Sequence, residues 1–177
     1  MILIADLTCD PLLREEFVRP LSRIVEESFE CEVLHHCRID DELVKDYEKV
    51  ILSGTALRDR GYLEDEGGFG WLKTYDKPVL GICAGMQVIG KVFGCKVTGC
   101  REVGMIRIKT VKENPLFADE FTAYTLHDLA LEANHEFKVL ARSGKCVQSI
   151  KHDEKPFYGV LFHPEARNKT VIHSFLN

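Results

Sequence analysis

The sequence has no cluster of basic residues, and its overall charge is mildly acidic. It contains 28 acidic and 23 basic residues, which gives a formal net charge of −5 over 177 residues. Domains that bind nucleic acid carry a basic patch or stripe to match the phosphate backbone. We therefore expect no nucleic-acid partner.

Long apolar runs are also missing. No run approaches the roughly 18 apolar residues that a membrane-spanning helix requires. The first residues, Met1 to Asp6, lack the basic segment and the cleavage site of a secretory signal peptide. We therefore expect no membrane partner and no export.

The seven cysteines contain no Cys-x-x-Cys pair, the spacing of zinc ribbons and thioredoxin-like sites. Free thiols in this number are typical of a reducing cytoplasm, which is the predicted location. The sequence His35-His36-Cys37 has metal-ligating residue types but no matching ligands elsewhere, and the end of a strand is the preferred interpretation. We predict no metal and no cofactor.

Short runs of consecutive apolar residues predict strands that are buried on both faces. The clearest runs are Ile2–Leu7, Val50–Leu52, Pro78–Ile82 and Tyr158–Phe162. Weaker strand patterns lie at 32–35, 105–111, 121–126, 139–141 and 146–151. Helical patterns lie at 12–29, 40–47, 63–75, 86–93 and 168–176.

Strands alternate with helices through residue 93, which predicts an α/β fold. The expected architecture is a flavodoxin-like open sheet, mostly parallel, with helices on both faces and some antiparallel strands between residues 95 and 150. No repeat, low-complexity tract or linker divides the sequence, so residues 1–177 are expected to form a single domain. In such a sheet, functional residues follow the carboxyl ends of the strands.

Cys83 follows one of these strands, between Gly81 and Gly85. Gly-x-Cys-x-Gly between a strand and a helix is the nucleophile-elbow pattern, with cysteine in place of serine. The glycines avoid collisions across the turn, and the helix N-terminus favours a thiolate. The backbone N–H of Ala84 can stabilise a developing oxyanion. A buried structural cysteine fits this motif alone equally well.

A second strand ends at His163-Pro164-Glu165. A cysteine nucleophile needs a base, and the base needs a group that orients it. His163 can serve as the base and Glu165 as the orienting carboxylate. A turn with a solvated glutamate is the alternative for this segment alone.

These two segments, together with Val50-Ile51-Leu52-Ser53-Gly54, resemble the class I (triad) glutamine amidotransferases in order and approximate spacing. The resemblance implies that Cys83 is the nucleophile, His163 the base and acid, and Glu165 the orienting group. It further implies that Gln87 helps to hold the bound glutamine. The implied oxyanion hole consists of backbone amides at Gly54, Thr55 and Ala84.

The resemblance implies hydrolysis of glutamine through a cysteine thioester, without a cofactor, and delivery of ammonia to a synthetase partner. The layout from Glu102 to His127 is similar to that of the small glutaminase subunits of GMP synthase. The stretch His127–Glu132 is also similar to the glutaminase subunit of anthranilate synthase, although a strand end followed by a loop explains it equally well.

Two alternatives stay open. The Cys83 turn also resembles PfpI-like cysteine proteins, but those proteins do not characteristically end their last core strand with His-Pro-Glu. The other alternative is a catalytically silent binding subunit of the same fold. Thr55 favours it, because the family commonly has glycine at this position and a β-branched residue disfavours φ above zero.

Overall fold

The computed structural model describes residues 1–65 and 67–177. Its strands are β1 (Ile2–Asp6), β2 (Cys31–His35), β3 (Lys49–Leu52), β4 (Val79–Ile82), β5 (Lys96–Thr110), β6 (Glu120–Glu132), β7 (Phe137–Arg142), β8 (Val147–His152) and β9 (Phe157–Val160). They form one sheet in the order β2-β1-β3-β4-β9-β8-β7-β5-β6. Strands β2, β1, β3, β4 and β9 pair in parallel, and the pairings from β9 through β8, β7 and β5 to β6 are antiparallel.

The helices are α1 (Pro11–Glu26), α2 (Gly61–Glu64), α3 (Ala84–Val92) and α4 (Thr170–Leu176). Helix α1 begins where the side chain of Asp10 accepts the N–H of Leu12 at 2.9 Å, the usual stabilisation of a helix N-terminus. Helices α1 and α4 pack on one face of the sheet and α3 on the other. The predicted α/β fold with helices on both faces is therefore confirmed.

Four predicted elements differ from the structure. The helix expected at 63–75 is replaced by the short α2 and a 3₁₀ turn at Gly70–Lys73, because the glycines between them are poor helix formers. The helix expected at 40–47 is only a 3₁₀ turn at Leu43–Asp46. Strands β5 and β6 are longer than predicted, and the antiparallel part of the sheet contains as many strand pairings as the parallel part.

The sheet order makes β1, β3, β4 and β9 consecutive neighbours, and all four run in the same direction. Their carboxyl ends therefore meet at one edge of the sheet. The residues that follow β3, β4 and β9 include Gly54, Cys83 and His163. Segments that are far apart in sequence thus converge on this edge.

None of the helices in the described part of the chain combines the length and the apolar character that crossing a membrane would need.

Candidate active site

Cys83 lies in a strained turn between β4 and α3. Its backbone has φ 48° and ψ −100°, a conformation that costs a residue with a Cβ about 1–3 kcal/mol. A Cβ on Gly81 would lie 2.4 Å from the carbonyl carbon of Gly85, and one on Gly85 would lie 2.5 Å from the carbonyl oxygen of Leu52. The two glycines therefore allow the tight turn that holds Cys83 at the end of the strand.

The Cys83 side chain is enclosed by the neighbouring strands. Its backbone N–H donates to the carbonyl of Val160 at 2.7 Å, and its sulfur lies 3.7 Å from the carbonyl oxygen of Leu126 on β6. The residue is only 4% exposed. The thiol is therefore held in a fixed environment and shielded from bulk water.

His163 and Glu165 form a buried pair just beyond β9. The ring Nδ1 lies 2.7 Å from Glu165 Oε1, and the two side chains are 2% and 4% exposed. The backbone N–H of His163 donates to the carbonyl of Tyr124 at 2.8 Å. The ring Nε2 has no hydrogen-bond partner among residues 1–65 and 67–177. With Nδ1–H donating to the carboxylate, Nε2 is the atom left for proton transfer.

The charge of this pair is set by opposing effects. Burial alone would lower the pKa of His163, but Glu165 and Cys83 together raise it well above the ordinary value. An acceptor carboxylate and a nearby sulfur both favour the protonated imidazole. Glu165 and Cys83 therefore act on the protonation of His163 in the same direction.

Gly54 and Thr55 follow β3 beside the imidazole. A Cβ on Gly54 would lie 2.8 Å from His163 Cε1, so only glycine leaves room for the ring there. Thr55 donates its hydroxyl to Asp59 at 2.6 Å, and Asp59 also accepts the N–H of Cys9 at 2.8 Å. Thr55 is not among the residues with positive φ, so its β-branched side chain introduces no left-handed strain.

Gln87 is buried on α3, one turn beyond Cys83. Its Oε1 accepts the hydroxyl of Tyr62 at 2.7 Å, and its Nε2 lies 3.3 Å from the carbonyl oxygen of Leu129. The amide is therefore held at both ends by α2 and β6. Sequence reasoning missed Tyr62 and Leu126, because their role near Cys83 depends on tertiary contacts that leave no local motif.

The segment His35-His36-Cys37 begins at the last residue of β2 and continues into a 3₁₀ turn. His36 lies 3.2 Å from Asp65 and stacks on Phe69 with ring centroids 5.0 Å apart. The position at a strand end agrees with the preferred interpretation of this segment.

Comparisons with known proteins place these observations in a family. The family model described as glutamine amidotransferase class-I matches residues 19–177. A glutamine-hydrolysing GMP synthase subunit from Methanothrix thermoacetophila is 31% identical over 172 residues, covering 91% of this chain and 92% of the relative. The corresponding protein from Methanococcus aeolicus is 43% identical over 95 residues, 50% of each chain. The match thus spans about half the length of several curated relatives.

Solved structures share the fold. A protein from Thermoplasma acidophilum, described as a GMP synthase subunit, has a TM-score of 0.88 at 23% identity, over 99% of this chain and 91% of that one. A glutamine amidotransferase from Thermotoga maritima has a TM-score of 0.72 at 22% identity, over 99% and 82%. From the family match and the full-length relative, we conclude that this chain belongs to the class I glutamine amidotransferases.

Proposed function

We propose that this chain hydrolyses the side-chain amide of glutamine and passes the ammonia to a separate synthetase of the GMP synthase type. The relatives named as GMP synthase subunits support the acceptor class. The observation that carries the chemistry is the buried His163–Glu165 pair at the same sheet edge as Cys83. Among the residues that the structure describes, Nε2 of His163 has no hydrogen-bond partner. The seven free cysteines fit a reducing compartment, and we propose the cytoplasm.

In the proposed first half-reaction, the Cys83 thiolate attacks the amide carbon of glutamine. Backbone N–H groups of Gly54, Thr55 and Ala84 stabilise the oxyanion that develops. The imidazolium of His163 gives its proton to the departing nitrogen, so that ammonia leaves and a glutamyl thioester remains on Cys83. The raised pKa of His163 suits this role, because the ring must hold the proton that it transfers.

In the second half-reaction, neutral His163 accepts a proton from a water molecule that attacks the thioester. Glutamate leaves, and the thiolate–imidazolium pair is restored. Glu165 holds the ring in one tautomer throughout, as the third member of such triads does. Gln87, fixed by Tyr62 and one helical turn from Cys83, is proposed to help hold the substrate.

The two alternatives are less well supported. The family match and the His163–Glu165 pair favour an amidotransferase over a PfpI-like protein. Thr55 favoured the silent binding protein, but the backbone of Thr55 lies outside the left-handed region. This backbone conformation supports a role for the Thr55 N–H in the proposed oxyanion hole.

A glutaminase assay tests the proposal, with the purified chain alone and with the synthetase from the same source. We expect turnover that rises when the synthetase is added, and no turnover for Cys83→Ala. Cys95→Ala is the matched control, because Cys95 is also buried but lies beyond the far end of α3. Undiminished turnover in Cys83→Ala would refute the assignment of the nucleophile.

Chemical labelling supplies a second readout. An alkylating analogue of glutamine is expected to modify Cys83 before the other six cysteines, as determined by peptide mass spectrometry. Equal labelling of all exposed thiols, with Cys83 unmodified, would contradict a glutamine site at this position.

A further inference from the structure

The segment from Gly54 to Arg60, which we call the β3–α2 segment, belongs to no strand or helix. The proposed oxyanion hole takes two of its three backbone N–H groups from this segment, at Gly54 and Thr55. A donor stabilises an oxyanion best when it is already aimed at the place where the charge develops. Because the segment has no regular secondary structure, contacts of its side chains must fix that aim.

The proposed donors of the β3–α2 segment are not engaged by the backbone. Among residues 1–65 and 67–177, neither Gly54 nor Thr55 donates its N–H to a backbone oxygen. Thr55 is buried, so little water reaches the residue. Main-chain N–H groups in such surroundings require an acceptor, and an oxyanion on the substrate would supply one.

Asp59 joins Thr55 to a neighbouring loop. Its Oδ2 accepts the hydroxyl of Thr55 at 2.6 Å and the N–H of Cys9 at 2.8 Å. Cys9 follows β1, the strand that pairs with β3. The N–H of Asp59 donates to the carbonyl of Ala56 at 3.0 Å, which folds the segment back so that the carboxylate reaches Thr55. One carboxylate oxygen thus holds Thr55 against the loop that follows the adjacent strand.

The contacts of Asp59 give the Thr55 side chain a defined orientation. Burial opposes ionisation of Asp59, but the hydrogen bonds from Thr55 and Cys9 lower its pKa below the ordinary value. An ionised carboxylate can only accept hydrogen bonds, so the Thr55 hydroxyl must donate. A β-branched side chain has few χ1 rotamers, and fixing its hydroxyl therefore restricts the backbone that carries the N–H. A glycine at this position would provide an N–H but no side chain to hold it.

A second contact anchors the far end of the β3–α2 segment. Arg60 forms an ion pair with Asp128 on β6 at 2.5 Å, and both side chains are partly exposed. Exposed ion pairs stabilise little, whereas hydrogen bonds to a partly buried carboxylate are among the stronger ones. Asp59 is therefore the main anchor of the part of the segment that carries Thr55.

We propose that Asp59 is a positioning residue for the oxyanion hole, which holds Thr55 so that its N–H points at the oxyanion formed on the glutamine amide. This inference rests on the proposed glutaminase function and adds a residue to it. Asp59 acts through Thr55 and does not touch the substrate. The oxyanion exists only after the Cys83 thiolate has attacked, so Asp59 should favour the transition state over the bound substrate.

Steady-state glutaminase kinetics of the full chain, measured with its synthetase present, test this proposal. Asp59→Ala and Thr55→Val each break the hydrogen bond between the two side chains. Each is expected to lower kcat by about 10- to 10²-fold, less than the loss of a whole oxyanion donor, because the N–H remains but is aimed less well. KM should change less than about twofold, because the bound substrate carries no oxyanion.

Conservative and control variants separate positioning from a general loss of structure. Asp59→Asn keeps an oxygen that accepts both hydrogen bonds, so it should lose much less kcat than Asp59→Ala. The double variant Asp59→Ala/Thr55→Val should be no slower than the slower single variant, because both changes remove the same contact. Asp40→Ala is the control and should leave kcat unchanged. Asp40 also accepts two backbone N–H groups, those of Glu42 and Leu43, but lies between β2 and β3.

NMR relaxation of the backbone amides gives a readout that needs no turnover. The order parameter of the Thr55 N–H should fall in Asp59→Ala and stay near the wild-type value in Asp59→Asn. An unchanged order parameter or an unchanged kcat in Asp59→Ala would overturn the proposal, as would a loss confined to KM. A wild-type chain that hydrolyses no glutamine, even with its synthetase, would instead refute the proposed function, and the order parameters would still decide whether Asp59 holds Thr55.

Discussion

Gly54 illustrates how one residue without a side chain controls the position of another. A Cβ on Gly54 would lie only 2.8 Å from Cε1 of the His163 ring. Gly54→Ala is therefore expected to displace the imidazole and to lower kcat/KM for glutamine about 10²-fold, because small misplacements of catalytic groups have effects of this size. Steady-state glutaminase kinetics measure the change.

Gly144→Ala is the control for this substitution, since a Cβ at Gly144 would meet no atom within 4 Å. It should leave kcat/KM unchanged. Full activity in Gly54→Ala would show that the ring lies elsewhere during catalysis.

Glu165 controls the protonation of His163. In Glu165→Gln the carboxylate no longer favours the imidazolium, while burial continues to disfavour it. The pKa of His163 is therefore expected to fall, and glutaminase activity to fall by about 10²- to 10⁴-fold. NMR titration of the imidazole resonances measures the pKa, with His152 on β8 as a reference that should titrate as before. An unchanged pKa of His163 in this variant would show that Glu165 does not control the protonation of the ring.

The residues proposed for this site are marked more clearly in the sequence than the residues that support them. Cys83, His163 and Glu165 each follow a strongly apolar strand in a recognisable motif. Tyr62, which binds Gln87, follows no such strand and belongs to no motif. Its partner is 25 residues away, and only the packing of α2 on α3 brings the two together.

Helix α2 is attached to α3 through the Tyr62–Gln87 hydrogen bond, and both residues are buried. Tyr62→Phe leaves Gln87 Oε1 without this donor, which should lower the free energy of unfolding by about 1–3 kcal/mol. Adding Gln87→Leu removes the unpaired oxygen and should recover part of the loss. Urea denaturation of the two single variants and the double variant measures the coupling.

Tyr158→Phe serves as the reference for removing a hydroxyl, because Tyr158 is only partly buried on β9. Its effect should stay within about 0.5 kcal/mol. Equal effects at the two tyrosines would mean that the hydrogen bond to Gln87 contributes nothing specific.

The parallel strands were predicted more accurately than β5 and β6, and the reason is physical. Buried parallel strands such as β1 and β4 are apolar at nearly every position and stand out in the sequence. Strands β5 and β6 alternate between more exposed and less exposed residues, so their pattern is weaker. The start of β5 was placed too late and the end of β6 too early.

At the scale of the whole molecule, the parallel half of the sheet was predicted and the strand order was not. No local sequence pattern predicts that β9 lies between β4 and β8. That the chain forms a single domain stays a prediction.

The central position of β9 has a measurable effect on stability across the sheet. Its backbone is paired with β4 on one side and β8 on the other, whereas β2 and β6 lie at the two edges. Amide hydrogens of β9 should exchange at rates close to the limit set by global unfolding, and those on the outer side of β2 much faster. Hydrogen exchange followed by NMR tests this order, and faster exchange in β9 than in β2 would contradict it.

The same placement means that the ribosome makes β9, which joins the two halves of the sheet, after the other strands that the structure describes. If the earlier strands pair before β9 emerges, β4 and β8 are left as open edges, and such edges can pair with other chains. Cys83, the proposed nucleophile, is synthesised 80 residues before His163, its proposed base. Under the proposed mechanism, closure of the sheet and activation of the Cys83 thiol are therefore a single event, and we expect a nascent or partly folded chain to release no ammonia.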